Sequence, residues 1–396
     1  MRDPHQNIFW YYRSQTKDKE TDLQIENNAT KALINLLEYS EPEVIESFLQ
    51  LLKIHPKIYH EPKYLLQRKR TGSIPDAEIR LENGSIVYIE SKVKASLNIK
   101  QLEEHLKAIK DKDYLVYISN NSSDFVQVKK LSDKIITILW KAIHHDLTGI
   151  KTSDKKTNLL LEQFKEFLEV MNLTNFIGFK DIDFDYFVNH DDTYGPLLKD
   201  KLANLLTEIS EKLIQKGYPK FQVYGGKLSE KDNSCWSSLV KNKKGFVNTV
   251  HFTVSINLNQ VNLFLNLEGL KLVKKSLNLM KEDKNRVHQL FLSYQGYDLN
   301  ILKRCKIRAS KYISETVVEF RLKEKILRLS DVEYIIDKME SLINGKENCY
   351  PRLMLKIVIK RGDPKLKSEV LVQELTQKIV NLKAAYDYFK EAEIRK

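Results

Sequence analysis

Asp76, Glu90 and Lys92 are the residues of this chain whose types and spacing best suit chemistry. They stand at the ends of two predicted strands. The first runs Asp76-Ala77-Glu78-Ile79-Arg80-Leu81 and alternates polar with apolar; the second, Ser85 to Val93, is rich in β-branched residues. Asn83-Gly84 between them suits a hairpin turn that needs positive φ. Strand side chains alternate faces. Glu90 and Lys92 therefore project from one face, and Asp76 reaches that face across the hairpin. Two carboxylates and an ammonium at one point suit a hard cation with a lysine beside it. The competing reading is a solvated edge ribbon with surface charges.

The flanking segments must hold this hairpin in place. Residues 22–38 predict a helix, with Ile25, Ala29, Ala32, Leu33, Leu36 and Leu37 at helical spacing. Glu26 lies at the edge of that stripe, where it is either an ordinary first-turn charge or a group pointing into the site. A second helix is expected over 43–53 and a strand over 63–68. After the hairpin, Asn98 caps a predicted helix carrying Ile99, Leu102, Leu106 and Ile109 on one face. Tyr114 to Ser119 then reads as a short buried strand.

The order helix, three strands, helix, strand, with Pro75-Asp76 opening the hairpin and Glu90-Ser91-Lys92 closing it, resembles the PD-(D/E)xK nuclease superfamily. The resemblance covers the first third of the chain. It implies an α/β, restriction-endonuclease-like αβββαβ core and metal-dependent phosphodiester hydrolysis. Asp76 and Glu90 would hold Mg²⁺, for which Mn²⁺ substitutes, with the Ser91 backbone carbonyl as a further oxygen and Glu26 completing the set. Lys92 would position or activate the attacking water. Gln101 opens the following helix where several branches of the superfamily place a glutamine near the metal. His105, four residues on, shares its side of the helix; a solvated face is the plainer reading of both. Ser91 stands where apolar residues are common, but only its backbone is expected to contribute. The resemblance favours DNA over RNA and an endonuclease over an exonuclease, with restriction or anti-phage defence as a fold-level analogy. The alternative from another class is a non-catalytic nucleic-acid-binding or protein-interaction scaffold.

Acid-x-Lys alone is a weak signal here. Glu61-Pro62-Lys63, Asp154-Lys155-Lys156 and Glu282-Asp283-Lys284 match it too, yet none follows an apolar strand after an Asn-Gly hairpin.

The chain has 396 residues, 42% of them hydrophobic, enough for two or three globular domains. Its formal charge of +12 favours anionic partners, nucleic acid first. Cys235, Cys305 and Cys349 are odd in number and far apart, without zinc-ligand spacing. They lead to the expectation of no disulfide and a reducing, cytoplasmic setting. No signal core follows Met1, and no apolar run of membrane-spanning length occurs, so no membrane partner is expected.

The expected organisation is a nuclease-like domain over 1–150, a helical linker over 151–194 and an α+β domain over 195–396 for substrate or partner. The first boundary rests on the polar run 151–158. The last domain shows predicted strands near 249–256, 261–267, 317–322 and 353–359 and helices near 202–213, 269–280, 331–343 and 366–390. A homodimer, or a protein partner held through this domain, is compatible with it. Asp181, Asp183 and Asp185 lack the glycine and glutamate of a calcium loop and read as surface charge. His144-His145-Asp146 is a helix segment whose adjacent histidines face apart. Arg361-Gly362-Asp363-Pro364 is a turn. Over 224–246, Tyr224, Trp236 and Phe246 interleave with Lys227, Lys231, Lys241, Lys243 and Lys244. This suits base stacking beside phosphate contacts, with Lys241, Lys243 and Lys244 as nucleic-acid contacts, or else a solvated loop over a buried tryptophan.

Overall fold

The computed structural model describes residues 7–9, 18–55, 62–67, 74–93, 96–192, 194–229, 233–294, 296–308, 311–322, 327–345 and 349–394, with backbone alone at 18–25, 306–308 and 311–313. Lys231, named above, lies outside them. The chain forms two compact units, 1–175 and 176–396.

The first unit is α/β. Helices α1 (Asp18–Tyr39) and α2 (Pro42–Leu51) precede strands β1 (Lys63–Leu66), β2 (Ala77–Arg80) and β3 (Ile86–Lys92). Then follow α3 (Ile99–Ala108), β4 (Tyr114–Ser119), α4 (Asp124–Leu131), β5 (Ile135–Leu139), α5 (Trp140–Leu147) and α6 (Lys155–Val170). The sheet order is β1-β2-β3-β4-β5; the first three strands are antiparallel and β3, β4 and β5 are parallel. Strand β5, with its crossover α4, extends the sheet beyond the predicted elements. Parallel central strands are buried on both faces, which is why Val87, Ile89, Val116 and Ile118 are covered as fully as Tyr88, Leu115 and Tyr117. The latter three pack with Leu102 of α3, Val128 of α4 and Ile135.

The second unit holds α7 (Asp181–Asn189), α8 (Tyr194–Gln215), β6 (Gln222–Ser229), β7 (Ser234–Val240), β8 (His251–Asn257) and β9 (Gln260–Leu267). It continues through α9 (Leu270–Glu282), α10 (Lys284–Leu292), β10 (Asp298–Arg308), β11 (Lys311–Arg321), α11 (Leu329–Asn344), β12 (Cys349–Lys360), α12 (Val370–Asn381) and α13 (Lys383–Ile394). Its sheet is antiparallel throughout, in the order β11-β10-β12-β9-β8-β7-β6. Val261, Leu263, Leu265 and Leu267 of β9 and Phe252, Val254 and Ile256 of β8 join the helices in one apolar core.

Three expectations are corrected. The region 151–194 is not a separate linker: α6 buries Leu160, Phe164 and Phe167 and packs on α1 and α5, whereas Phe184 and Phe187 of α7 enter the core of the second unit. The predicted helix over 366–390 is a 3-10 turn, Pro364–Lys367, followed by α12 and α13. Cys305 and Cys349 form a disulfide across β10 and β12, where register makes them direct partners. Sequence distance hid that adjacency, and the cysteine argument for a reducing compartment falls with it. Among the described residues no helix is long and apolar enough to cross a membrane.

Candidate active site

The turn between β2 and β3 sets the geometry. Gly84 takes φ +75, the left-handed conformation that glycine tolerates. Leu81 and Ser85 close the loop through a backbone hydrogen bond of 2.9 Å, and the Asn83 side chain accepts from Ser85 N. Ala77 pairs with Ile89 and Glu78 with Tyr88. One step further along that register, Asp76 comes opposite Glu90. Its Oδ2 accepts from Ser91 N at 2.8 Å, which fixes the carboxylate against the end of β3.

Lys92 lies at the centre. Its Nζ donates to Glu90 Oε1 at 2.6 Å and stands 3.6 Å from Glu26 Oε2. Glu26 is buried, and its Oε1 accepts from Val93 N at 3.2 Å. Of the two readings of Glu26, the structure therefore gives the inward one. The residues brought together are Glu26, Asp76, Glu90, Ser91 and Lys92.

His105 joins them, against the solvated-face reading. It is 2% exposed, and its Nε2 lies 3.0 Å from Glu90 Oε2. The reason is helical spacing: Leu102 packs into the core, and a residue three positions on shares its face. His105 Nδ1 is buried with no hydrogen-bond partner among the described residues. Gln101, one turn earlier, is half-buried; Asn98 caps its backbone N–H at 3.3 Å, as expected of that cap.

Burial raises the Asp76 carboxyl to about 7, with the charge of Glu90 adding to the effect and the Ser91 N–H and Lys92 opposing it. For Lys92 the largest influence is burial, which disfavours the ammonium; Glu90, Asp76 and Glu26 together outweigh it and hold the group above its ordinary value. Lys92 is thus a cation at neutral pH. It can orient a water or stabilise negative charge.

Two further groups escaped the sequence reading. Glu78 is fully buried on the Tyr88 side of β2, with Arg80 Nη2 at 3.4 Å. Its signal was the same alternation that exposed Asp76. At the end of β4, Asp124 Oδ2 accepts from Tyr117 Oη and Ser119 Oγ, both at 3.0 Å. Tyr117 and Ser119 are the β4 partners of Glu90 and Lys92, so this network borders the site. Pairing with a strand 27 residues away is a register fact that no local pattern carries.

The chain matches no family model and no curated protein. Among the described residues, no group of three or more His, Cys, Asp or Glu side chains is arranged to hold a metal ion. The donor chemistry nonetheless fits a hard cation. Asp76, Glu90 and Glu26 are oxygen donors, and the raised Asp76 carboxyl marks a spot where added positive charge would relieve a buried pair of acids.

The other sequence candidates fall elsewhere. His144 Nε2 lies 3.8 Å from Glu169 Oε1, while Asp146 accepts from Ser47, so the His144-His145-Asp146 segment does not converge. Asp183 is no surface charge: it is buried and accepts from Lys201 Nζ, Lys180 N and Tyr194 Oη. A capping position at the first turn of α7 draws it inward. Asp181 and Asp185 do lie at the surface, paired with Lys367 and Arg361. Lys241, Lys243 and Lys244 are exposed on the loop after β7 in the second unit. Residues 224–229 and 234–240 are paired strand, not loop, and Trp236 is half-buried.

Proposed function

We propose that the first unit is a metal-dependent nuclease of the PD-(D/E)xK kind that hydrolyses phosphodiester bonds, DNA before RNA and internally before at ends. The observation that carries this reading is the convergence of Asp76, Glu90 and Glu26 on Lys92 at the open end of the β2–β3 hairpin, away from the Asn83-Gly84 turn. Its element order, with two helices, three antiparallel strands, a helix and a parallel strand, supports the restriction-endonuclease-like core.

In this reading Asp76, Glu90, the Ser91 carbonyl and Glu26 would hold Mg²⁺ or Mn²⁺. Bound there, the cation would supply charge neutralisation at the phosphate and a more acidic water. Lys92, held as an ammonium, orients that water and stabilises charge as it develops on the phosphate oxygens. His105 fixes the second oxygen of Glu90, so that the carboxylate presents one geometry. The second unit engages the substrate through Lys241, Lys243 and Lys244 on their exposed loop, or binds a protein partner. Restriction or anti-phage defence is the role that fold-level analogy supplies.

One observation favours a non-catalytic scaffold instead: Glu90 already has both oxygens engaged, by Lys92 and His105. A single assay separates the two. Supercoiled plasmid, linear duplex, single-stranded DNA and RNA are incubated with the full chain in Mg²⁺, in Mn²⁺ and in EDTA. Nicking or cutting that needs the metal and disappears in Asp76→Asn supports the nuclease. Intact substrates under every condition reject it.

A further inference from the structure

The sheet of the second unit has a second face that its apolar core does not use. Alternation along β8 and β9 sends Phe252, Val254, Leu263 and Leu265 into the core, and sends His251, Thr253 and Asn266 the other way. Those polar residues are buried; His251 Nδ1 meets the Thr249 carbonyl at 2.8 Å, and Thr253 and Asn266 are joined to each other. Thr253 Oγ1 meets Ser238 Oγ at 2.7 Å and accepts from Asn266 Nδ2 at 2.7 Å, and Asn266 Oδ1 accepts from Arg352 at 2.8 Å. Arg352 and Arg304 both pair with Glu268, at 3.2 and 3.4 Å. A hydrogen-bonded row of this kind is a polar floor, and it carries two guanidinium groups that are only half-buried.

Aromatic rings stand at the β6–β7 end of this floor. Tyr224 pairs across the hairpin with Ser238, so it shares the floor's face. Its ring centroid lies 4.4 Å from that of Phe246 and 6.2 Å from that of Trp236. Phe246 in turn meets His251 at 5.1 Å. All three aromatic rings are half-buried, not core residues. Lys227 lies 5.9 Å over Tyr224. At the opposite end, Asn300 continues the row through Met354 and Asn266 to His251. Three strand spacings make that about 14 Å. Asn300 is 5% exposed, and its Oδ1 has no hydrogen-bond partner among the described residues. A buried acceptor without a donor is destabilising unless a ligand supplies one.

We propose that this face binds single-stranded nucleic acid, with bases stacked on Trp236 and Phe246, backbone phosphates at Arg352 and Arg304, and a base N–H donor reaching Asn300. Three observations select this occupant. The rings offer faces that every base can use. The cations suit phosphates, in a chain with net charge +12. The orphaned acceptor asks for a donor, which exocyclic amines of bases provide. A duplex hides its base faces and gains nothing from the rings. The proposal deepens the nucleic-acid reading above, and it stands apart from the hydrolytic chemistry of the first unit.

The test is binding of labelled single strands (DNA and RNA) and of a matched duplex to the full chain in EDTA, so that cleavage plays no part. The chain has three tryptophans, Trp10, Trp140 and Trp236, so only quenching that Trp236→Leu abolishes is assigned to Trp236. The expected result is single strands bound tighter than the duplex, tryptophan quenching on binding, and affinity about tenfold weaker in Trp236→Leu and in Phe246→Leu. Arg352→Gln is expected to make the salt dependence shallower. Because Arg352→Gln and the leucine changes could unsettle the fold, each variant is first checked for an unchanged thermal transition, and Phe246→Tyr, which keeps a stacking face, should restore binding. Equal affinity for duplex, or full affinity in folded Trp236→Leu, overturns the proposal. So does absence of binding to any oligonucleotide, which returns the face to a protein partner. None of these outcomes touches metal-dependent cutting, and loss of cutting with single-strand binding intact rejects the nuclease alone.

Discussion

Glu90 and His105 meet at 3.0 Å through Oε2 and Nε2, both almost wholly removed from solvent. With Lys92 on the other oxygen at 2.6 Å, the Glu90 carboxylate is held from two sides. A carboxylate so held presents a fixed direction to whatever sits at the hairpin end, and each holder can be removed in turn.

Removing His105 leaves a buried carboxylate oxygen without its partner. His105→Ala should destabilise the protein by about 1–3 kcal/mol. Metal-dependent cutting should fall while Km for the substrate changes little, because no substrate contact is lost. His105→Gln, which keeps a donor, should recover part of both. Denaturant titration and initial rates decide; a wild-type rate in folded His105→Ala would show that Glu90 needs no such support.

Asp76 and Lys92 should both be required for cutting, yet their removal should have opposite effects on stability. Lys92→Ala leaves Glu90 and Glu26 buried and uncompensated, at a cost of about 3–5 kcal/mol. Asp76→Asn removes a carboxylate whose ionised form is already disfavoured by burial, so stability without metal should hold or rise. Thermal melts in EDTA, run beside cleavage assays, check both signs. Two inactive variants with equal melting shifts would contradict this electrostatic picture.

The Asp76 carboxyl, raised from 3.8 to about 7, also gives stability a pH dependence. Between those values the folded state binds more protons than the unfolded one, so unfolding free energy falls as pH rises. Above about 7 the penalty is complete. In EDTA, the stability gain of Asp76→Asn over wild type should therefore be small near pH 4 and grow toward pH 7.5. A gain that is flat across this range, or that shrinks, places the raised acid elsewhere.

Glu26→Gln should lower activity less than loss of Asp76 or Glu90, with excess Mn²⁺ restoring part of it. The uncharged amide can still accept from Val93 N, so the backbone contact survives while the charge facing Lys92 is lost. An unaltered metal titration in the variant would assign Glu26 to holding the chain end only.

Opening the Cys305–Cys349 bridge should destabilise the second unit and leave the first untouched. Closing a loop of 44 residues stabilises by roughly 4 kcal/mol in the chain-entropy estimate, less where strain intervenes. Reductant and Cys305→Ser should shift the same thermal transition by similar amounts. A wild-type transition that ignores reductant argues that the bridge contributes nothing to stability.

Much of the first unit was legible locally. The β2–β3 hairpin follows from strand alternation and Asn83-Gly84, the α3 start from Asn98, and β4 from an uninterrupted apolar run. Those signals lie within a few residues of the positions they fix, and alternation alone is enough to put Glu90 and Lys92 on one side. What the sequence by itself determined is therefore the hairpin and the acid–lysine pair it carries. The tertiary structure decided the rest, because burial and strand neighbours depend on residues far along the chain. Glu26 turned inward once the chain after β3 ran past α1, and His105 became a partner of Glu90 when α3 packed on β3 and β4. Cys305 found Cys349 only through antiparallel register, and Trp236 and Arg352 came to share a face only when β7, β8, β9 and β12 were laid side by side.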